Sequence, residues 1–110
     1  MAVKRGDVVV VANGELGRPR PVIIVQADEL GDSTTTLVAC PITPEVVEKL
    51  AIRPILEATD SNGLRVRSQI MTDRLLAIPR ARVRQIIGTI DVQTSDRLNG
   101  ALLLVLGLTR

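Results

Sequence analysis

No Phe, Tyr, Trp or His occurs among the 110 residues, so any core this chain builds must come from Val, Leu, Ile and Ala. The same absences exclude Ser-His-Asp chemistry, paired-histidine acid–base chemistry, histidine metal sites and aromatic platforms for stacking nucleobases. Apolar residues make up 45% of the chain and charged ones 24%, a balance that suits a folded domain rather than a disordered tail. A chain this short is expected to form one domain, residues 1–110, burying roughly two-thirds of its unfolded surface. Its single cysteine, Cys40, rules out an internal disulfide and suits a reducing compartment. No apolar run approaches the roughly 20 residues that cross a bilayer. The opening MAVKRGDVVVVANG lacks a small-residue cleavage site after its apolar stretch. A cytoplasmic protein without membrane contact is expected.

Apolar patterning sets out the elements. Val8-Val9-Val10-Val11-Ala12 is a continuous run between Gly6-Asp7 and Asn13-Gly14 and reads as a buried strand. Pro21 to Val25 reads as a second, its leading Pro placed where a missing N–H is tolerated. Thr34 to Cys40 reads as a third, ending at Pro41. Pro44 to Leu50 has the look of a short helix, with Thr43 as its N-cap and two Glu near its positive end. Ile52 to Ala58 and Leu64 to Thr72 are expected strands around a tight Asp60-Ser61-Asn62-Gly63 turn. Ile86 to Ile90 is a last short strand. Thr94 or Ser95 can cap a closing helix in which Leu98, Ala101, Leu102, Val105 and Leu106 follow helical spacing. The expected fold is mainly β, with α+β character: a small curved sheet or barrel with a short internal helix and a C-terminal helix.

Charge is uneven along the chain. Residues 1–64 hold six Lys or Arg against nine Asp or Glu, whereas residues 65–110 hold eight Arg against three Asp. Arg outnumbers Lys twelve to two, and Arg is the better bidentate partner for phosphate. If their segments are extended, Arg65 and Arg67 share one face, and so do Arg80, Arg82 and Arg84. A stripe of that kind suits a polyanion; the plain alternative is a solvated face with some ion pairs.

Four segments in order carry a family resemblance. Val3-Lys4-Arg5-Gly6-Asp7-Val8 opens the first strand, and Glu15-Leu16-Gly17-Arg18-Pro19-Arg20-Pro21-Val22 leads into the second. Pro41-Ile42-Thr43 follows the third, and Ser68-Gln69-Ile70-Met71-Thr72 precedes Ile78-Pro79-Arg80. This order resembles the MazF/PemK toxins of bacterial toxin–antitoxin pairs, over nearly the whole chain. The resemblance implies an SH3-like barrel, a homodimer, an acidic and partly disordered cognate antitoxin, and no cofactor or metal. It implies a sequence-specific endoribonuclease that cuts single-stranded RNA. It places catalytic roles on Arg20, the Arg before Pro in the second strand, and on Thr43, with the loop acid falling on Glu15. Arg18, Arg65, Arg67, Arg80 and Arg82 become candidate RNA contacts.

Metal-free RNA cleavage uses the substrate's own 2′-OH against the neighbouring phosphate. The protein must help remove that proton, stabilise a doubly charged phosphorane and help the 5′-oxygen leave. Arg20 suits the second task, because a guanidinium clamps phosphate oxygens and keeps its charge. Thr43 can hydrogen-bond a phosphate oxygen or orient the 2′-OH, and Glu15 is the nearby candidate base. Three departures stand beside the resemblance. Ser68 occupies the place of an acid, the first-strand aromatic is missing, and Pro44 to Ile55 looks more like CcdB, a structural cousin that poisons DNA gyrase. Such poisons depend on a terminal Trp-Gly-Ile, and the matching segment is Leu106-Gly107-Leu108. A gyrase poison is therefore the alternative, and a non-catalytic nucleic-acid or partner-binding barrel a third reading.

Overall fold

The computed structural model describes residues 2–12 and 20–109. Seven antiparallel strands, β1 (Asp7–Val11), β2 (Arg20–Ile24), β3 (Thr36–Thr43), β4 (Ile55–Leu56), β5 (Ser68–Ile70), β6 (Leu76–Pro79) and β7 (Val83–Thr89), precede one α-helix, α1 (Val92–Val105). The strand order is β4-β5-β3-β2-β1-β7, with β6 also paired to β3. β3 explains this branching. Its first half pairs with β6, from Thr36↔Pro79 to Ala39↔Leu76, and its end pairs with β5 at Ile42↔Ile70 and Thr43↔Gln69. One edge of a single strand thus serves two partners, and the sheet curls into an open half-barrel.

Both faces of the central strands are buried. Val8, Ile23, Cys40 and Ile42 join Ile70, Leu98 and Leu102 in one cluster, closed by α1. Their immediate neighbours Val9, Val22, Ile24 and Ala39 join Leu37 and Ile78 in a second cluster. Successive residues of a strand point to opposite faces, so a strand covered on both sides reads as an unbroken apolar run rather than an alternation. That is why Val8 to Val11 carries no polar residue. In β1 the pairing with β7 shifts register at Val8/Val9 and again at Val10/Val11, which adds local twist to the curl.

Several boundaries differ from the sequence expectation. β3 continues through Pro41 to Thr43. The Pro41 carbonyl accepts from the Met71 N–H at 2.9 Å, so its ring nitrogen faces the same edge, in the gap between the β6 and β5 ladders. No ladder bond is required there. The helix expected over 44–50 does not form; that stretch is turns and irregular chain. Seven residues are too few to nucleate a helix in isolation, and the Val47 backbone is captured instead by the Gln69 side chain. The strand expected over 52–58 contracts to Ile55–Leu56, and that over 64–72 to Ser68–Ile70, followed by a single 3₁₀ turn at Thr72–Arg74. β6 was not anticipated. β7 begins earlier than expected, at Val83, and Arg80–Arg82 form a 3₁₀ turn before it, so Arg80, Arg82 and Arg84 do not line one strand face.

α1 starts at Val92, its cap three residues before Thr94 and four before Ser95, the two expected caps. The Asp91 carboxylate accepts from the Thr94 N–H at 2.7 Å and is the N-cap, while Thr94 itself is buried in the first turn. Leu98, Ala101 and Leu102 face the sheet, and Leu103, Leu104, Leu106 and Leu108 stay exposed. The 59–63 turn docks on β7: Asn62 Oδ1 accepts from Thr59 and Leu64 N–H at 3.0 Å each, and Thr89 N–H donates to the Ser61 carbonyl at 2.9 Å. A Cβ on Gly88 would run into the Ser61 and Asn62 carbonyls, backbone that cannot swing aside. Gly88→Ala should therefore destabilise the fold by about 1–3 kcal/mol, read from the urea midpoint at unchanged m-value, whereas Gly100→Ala, in open space on the helix, should lower no midpoint.

Candidate active site

The site is assembled by register. β2 pairs with β3 at Val22↔Pro41, Ile23↔Cys40 and Ile24↔Ala39. β2 begins at Arg20 and β3 ends at Thr43, so the two stand at the same end of this antiparallel pair, and Thr43 in turn pairs with Gln69 of β5. Arg20, Thr43 and Gln69 thus lie at one end of three adjacent strands. Paired residues share a face, so the Thr43 and Gln69 side chains leave the sheet on the same side.

A groove of about 550 Å³ opens at this end of the sheet. Its described lining is mostly apolar, with Val10, Pro21, Ile42, Leu64, Val66 and Ile87, and carries two cations, Arg20 and Arg65. Thr43 neighbours two lining residues, Ile42 and Pro44, in sequence and is not itself one of them. It is buried, and its Oγ1 accepts from the Glu45 N–H at 3.1 Å. A hydroxyl used as acceptor still has a proton to donate. Ser68, in the place of the expected acid, lines the groove and donates to the Val66 carbonyl at 2.9 Å. Among the described residues no carboxylate lines this groove. An arrangement of two guanidiniums, a hydroxyl and an apolar surface can hold a phosphodiester and its sugar while placing positive charge on the phosphate oxygens.

The other candidate arginines are differently placed. Arg67 turns to Glu57 at 3.1 Å and Glu48 at 3.3 Å, on exposed surface. Arg80 donates through Nε to the Thr34 carbonyl at 2.7 Å and also to the Gly31 carbonyl, bracing the 31–34 turn. Arg82 is exposed on its 3₁₀ turn, and its carbonyl accepts from Ala12 N–H at 3.0 Å. The continuous arginine stripe read from spacing is thus divided. Arg65 borders the groove, while Arg67 and Arg80 are spent on other partners. Glu15 and Arg18 lie outside the described residues.

Two features were missed from sequence. Gln69 is fully buried beside Thr43 with its amide inside the 44–54 segment. Its signal is a lone amide between Ser68 and Ile70 in a short strand whose three residues are all buried. That segment is also held by Thr72, whose hydroxyl donates to the Ile52 carbonyl, and by a bidentate Arg53–Asp73 pair at 2.7 and 3.0 Å. Cys40 is a core residue: burial pushes its thiol up to about 12, far from a reactive thiolate.

Comparison with known proteins adds sequence and fold. A family model described as PemK-like, MazF-like toxin of type II toxin–antitoxin system matches residues 4–106. A probable endoribonuclease MazF of Mycolicibacterium smegmatis is 31% identical over 108 residues, covering 96% of this chain and 98% of that protein. Among solved structures, an endoribonuclease in complex with its cognate antitoxin from a mycobacterial species has a TM-score of 0.84 at 21% identity, covering 99% of each chain. The Mycobacterium tuberculosis toxin MazF-mt6 has a TM-score of 0.79 at 23% identity, covering 96% of this chain and all of that one, 100%. These two structural likenesses carry the curled sheet and its terminal helix.

The Arg53 guanidinium, hydrogen-bonded to Asp73, holds that carboxyl below its ordinary value. A carboxylate depressed by folding stabilises fully above its unfolded pKa of about 3.9, and the contribution is lost as pH falls through the lower folded value. Asp73→Asn should lower the melting temperature at neutral pH. The gap to the parent chain should close as pH is taken down through the acid range; a gap independent of pH would contradict the pairing.

Proposed function

The chain belongs to the PemK-like, MazF-like toxin family of type II toxin–antitoxin systems, and we propose that it acts as a metal-independent, sequence-specific endoribonuclease on single-stranded RNA. The observation that carries this reading is that Arg20, at the start of β2, borders a groove with a second guanidinium, at the end of the sheet where Thr43 closes β3. In the proposed reaction the ribose 2′-oxygen forms a bond to the adjacent phosphorus and the bond from phosphorus to the 5′-oxygen breaks. The products are a 2′,3′-cyclic phosphate and a 5′-hydroxyl. Arg20 faces the phosphate and neutralises the charge that grows on its oxygens, where one preorganised donor is worth about 100- to 1000-fold in rate. Thr43 donates its hydroxyl proton to a phosphate oxygen or orients the 2′-OH. Arg65 holds the neighbouring backbone, Glu15 takes the 2′-OH proton, and the leaving 5′-oxygen takes a proton from solvent water.

The gyrase-poison alternative is not favoured. The family match spans residues 4–106, and the segment after the helix is Leu106-Gly107-Leu108, with no Trp for a gyrase contact. We further propose that residues 1–110 act as a single domain in the cytoplasm, that an acidic antitoxin covers the arginine-bearing side, and that the exposed Leu103, Leu104, Leu106 and Leu108 are covered by a second copy of the chain. No helix of the described residues is long and apolar enough to cross a membrane.

Purified chain incubated in EDTA should cleave RNA and leave intact a substrate whose cleavage site carries a 2′-deoxy sugar. Arg20→Ala should lose about 100- to 1000-fold in rate, and Thr43→Val nearly as much, each with a melting temperature close to the parent. Full potency in Arg20→Ala would sink the assignment. Light scattering at micromolar concentration should give twice the chain mass of 11.9 kDa; a monomer would leave the leucine patch without its second copy.

A further inference from the structure

Gln69 takes no part in the chemistry just described, yet every polar atom of its buried amide is engaged. Oε1 accepts from the Val47 N–H at 2.7 Å, and Nε2 donates to the Val47 carbonyl at 2.9 Å and to the Arg53 carbonyl at 2.8 Å. An amide has two donors and one carbonyl oxygen, so both donors are spent. With Val47 it exchanges an N–H and a C=O bond, as a residue of a neighbouring strand would. The 44–54 segment leaves β3 at Thr43, passes around this amide, and rejoins the sheet where the Pro54 carbonyl accepts from the Ile70 N–H at 2.9 Å. Gln69 is also the direct ladder partner of Thr43.

We propose that Gln69 is a positioning residue for Thr43. Its amide stands in for a missing strand, fixing the backbone at 47 and 53. The intervening chain then holds the Glu45 N–H against Thr43 Oγ1 and Pro44 at the border of the groove. The effect on rate rests on the ribonuclease reading, since it acts through the Thr43 hydroxyl; the effect on the segment does not. Loss of the amide frees Glu45 and lets the Thr43 hydroxyl turn away from the reacting phosphate. Substrate binding, which relies on Arg20, Arg65 and the apolar lining, changes little.

The full-length chain provides the test, at a temperature where every variant is fully folded. Gln69→Met removes all three bonds. Gln69→Glu keeps the acceptor for Val47 and, where burial keeps the carboxyl neutral, restores one donor. Ile70→Val trims the adjoining core residue without touching the segment and serves as the control for lost stability. Gln69→Met should speed hydrogen exchange at the Val47 amide by at least about tenfold. Its kcat should fall by about 10- to 100-fold, the scale expected of a misplaced group, with KM nearly unchanged. Gln69→Glu should fall between it and the parent, and carries the comparison alone if Gln69→Met does not fold. Unchanged Val47 exchange, or a loss of kcat no larger than in Ile70→Val, would overturn the proposal. A parent chain that cleaves no RNA would sink the ribonuclease reading instead, while exchange at Val47 still decides what Gln69 holds.

Discussion

The structure turns on one edge of β3 being divided between two strands. β6 takes Thr36 to Ala39, β5 takes Ile42 and Thr43, and Cys40-Pro41 fills the gap. A proline inside a ladder normally removes a bond; in this gap it removes none. The sheet curls about this change of partner, and its two faces carry the two aliphatic clusters. The end of β3 that β5 holds is where Arg20, Thr43 and Gln69 come into line. The curl and the candidate site therefore have a common origin.

Charge follows the same division of labour. Of the arginines in the second half of the chain, Arg80 serves two carbonyls and Arg67 two glutamates, so their charge is committed before any polyanion arrives. Exposed pairs such as those of Arg67 contribute little to stability. Arg53 differs, since its side chain is only 11% exposed and its fork meets Asp73 with both nitrogens, a geometry that fixes the segment as well as attracting it. What remains at the groove is a small set, Arg20 and Arg65. The overall charge of +2 understates how locally that charge is placed.

How much was legible in the sequence depended on where the ordering information lay. β1 and β2 were visible because burial on both faces leaves an uninterrupted β-branched signature in Val8 to Val11 and Val22 to Ile24. α1 was visible from Leu98, Ala101 and Leu102, although the cap lay three residues earlier at Asp91. Residues 44–56 were misread because their shape is set by partners distant in sequence: Gln69, Thr72 and Asp73 bind a backbone whose own residues favour a helical turn. The arginine spacing at 80, 82 and 84 suggested a strand face, but Pro79 and the turn over Arg80–Arg82 break the alternation. Arg20 and Thr43 were legible only as parts of a family pattern. Nothing local in either sequence neighbourhood reveals that the antiparallel pairing of β2 with β3 brings them to one end of the sheet.

The aliphatic core leaves Cys40 in an informative place. It sits at the middle of β3, fully enclosed, beside the proline where the two ladders part. A thiol reagent reaches it only when β3 comes away from its neighbours, so the rate of its modification measures how often the central strand opens. In a chain without a single aromatic ring, that sulfur atom is the molecule's built-in clock for the loosening of its own centre.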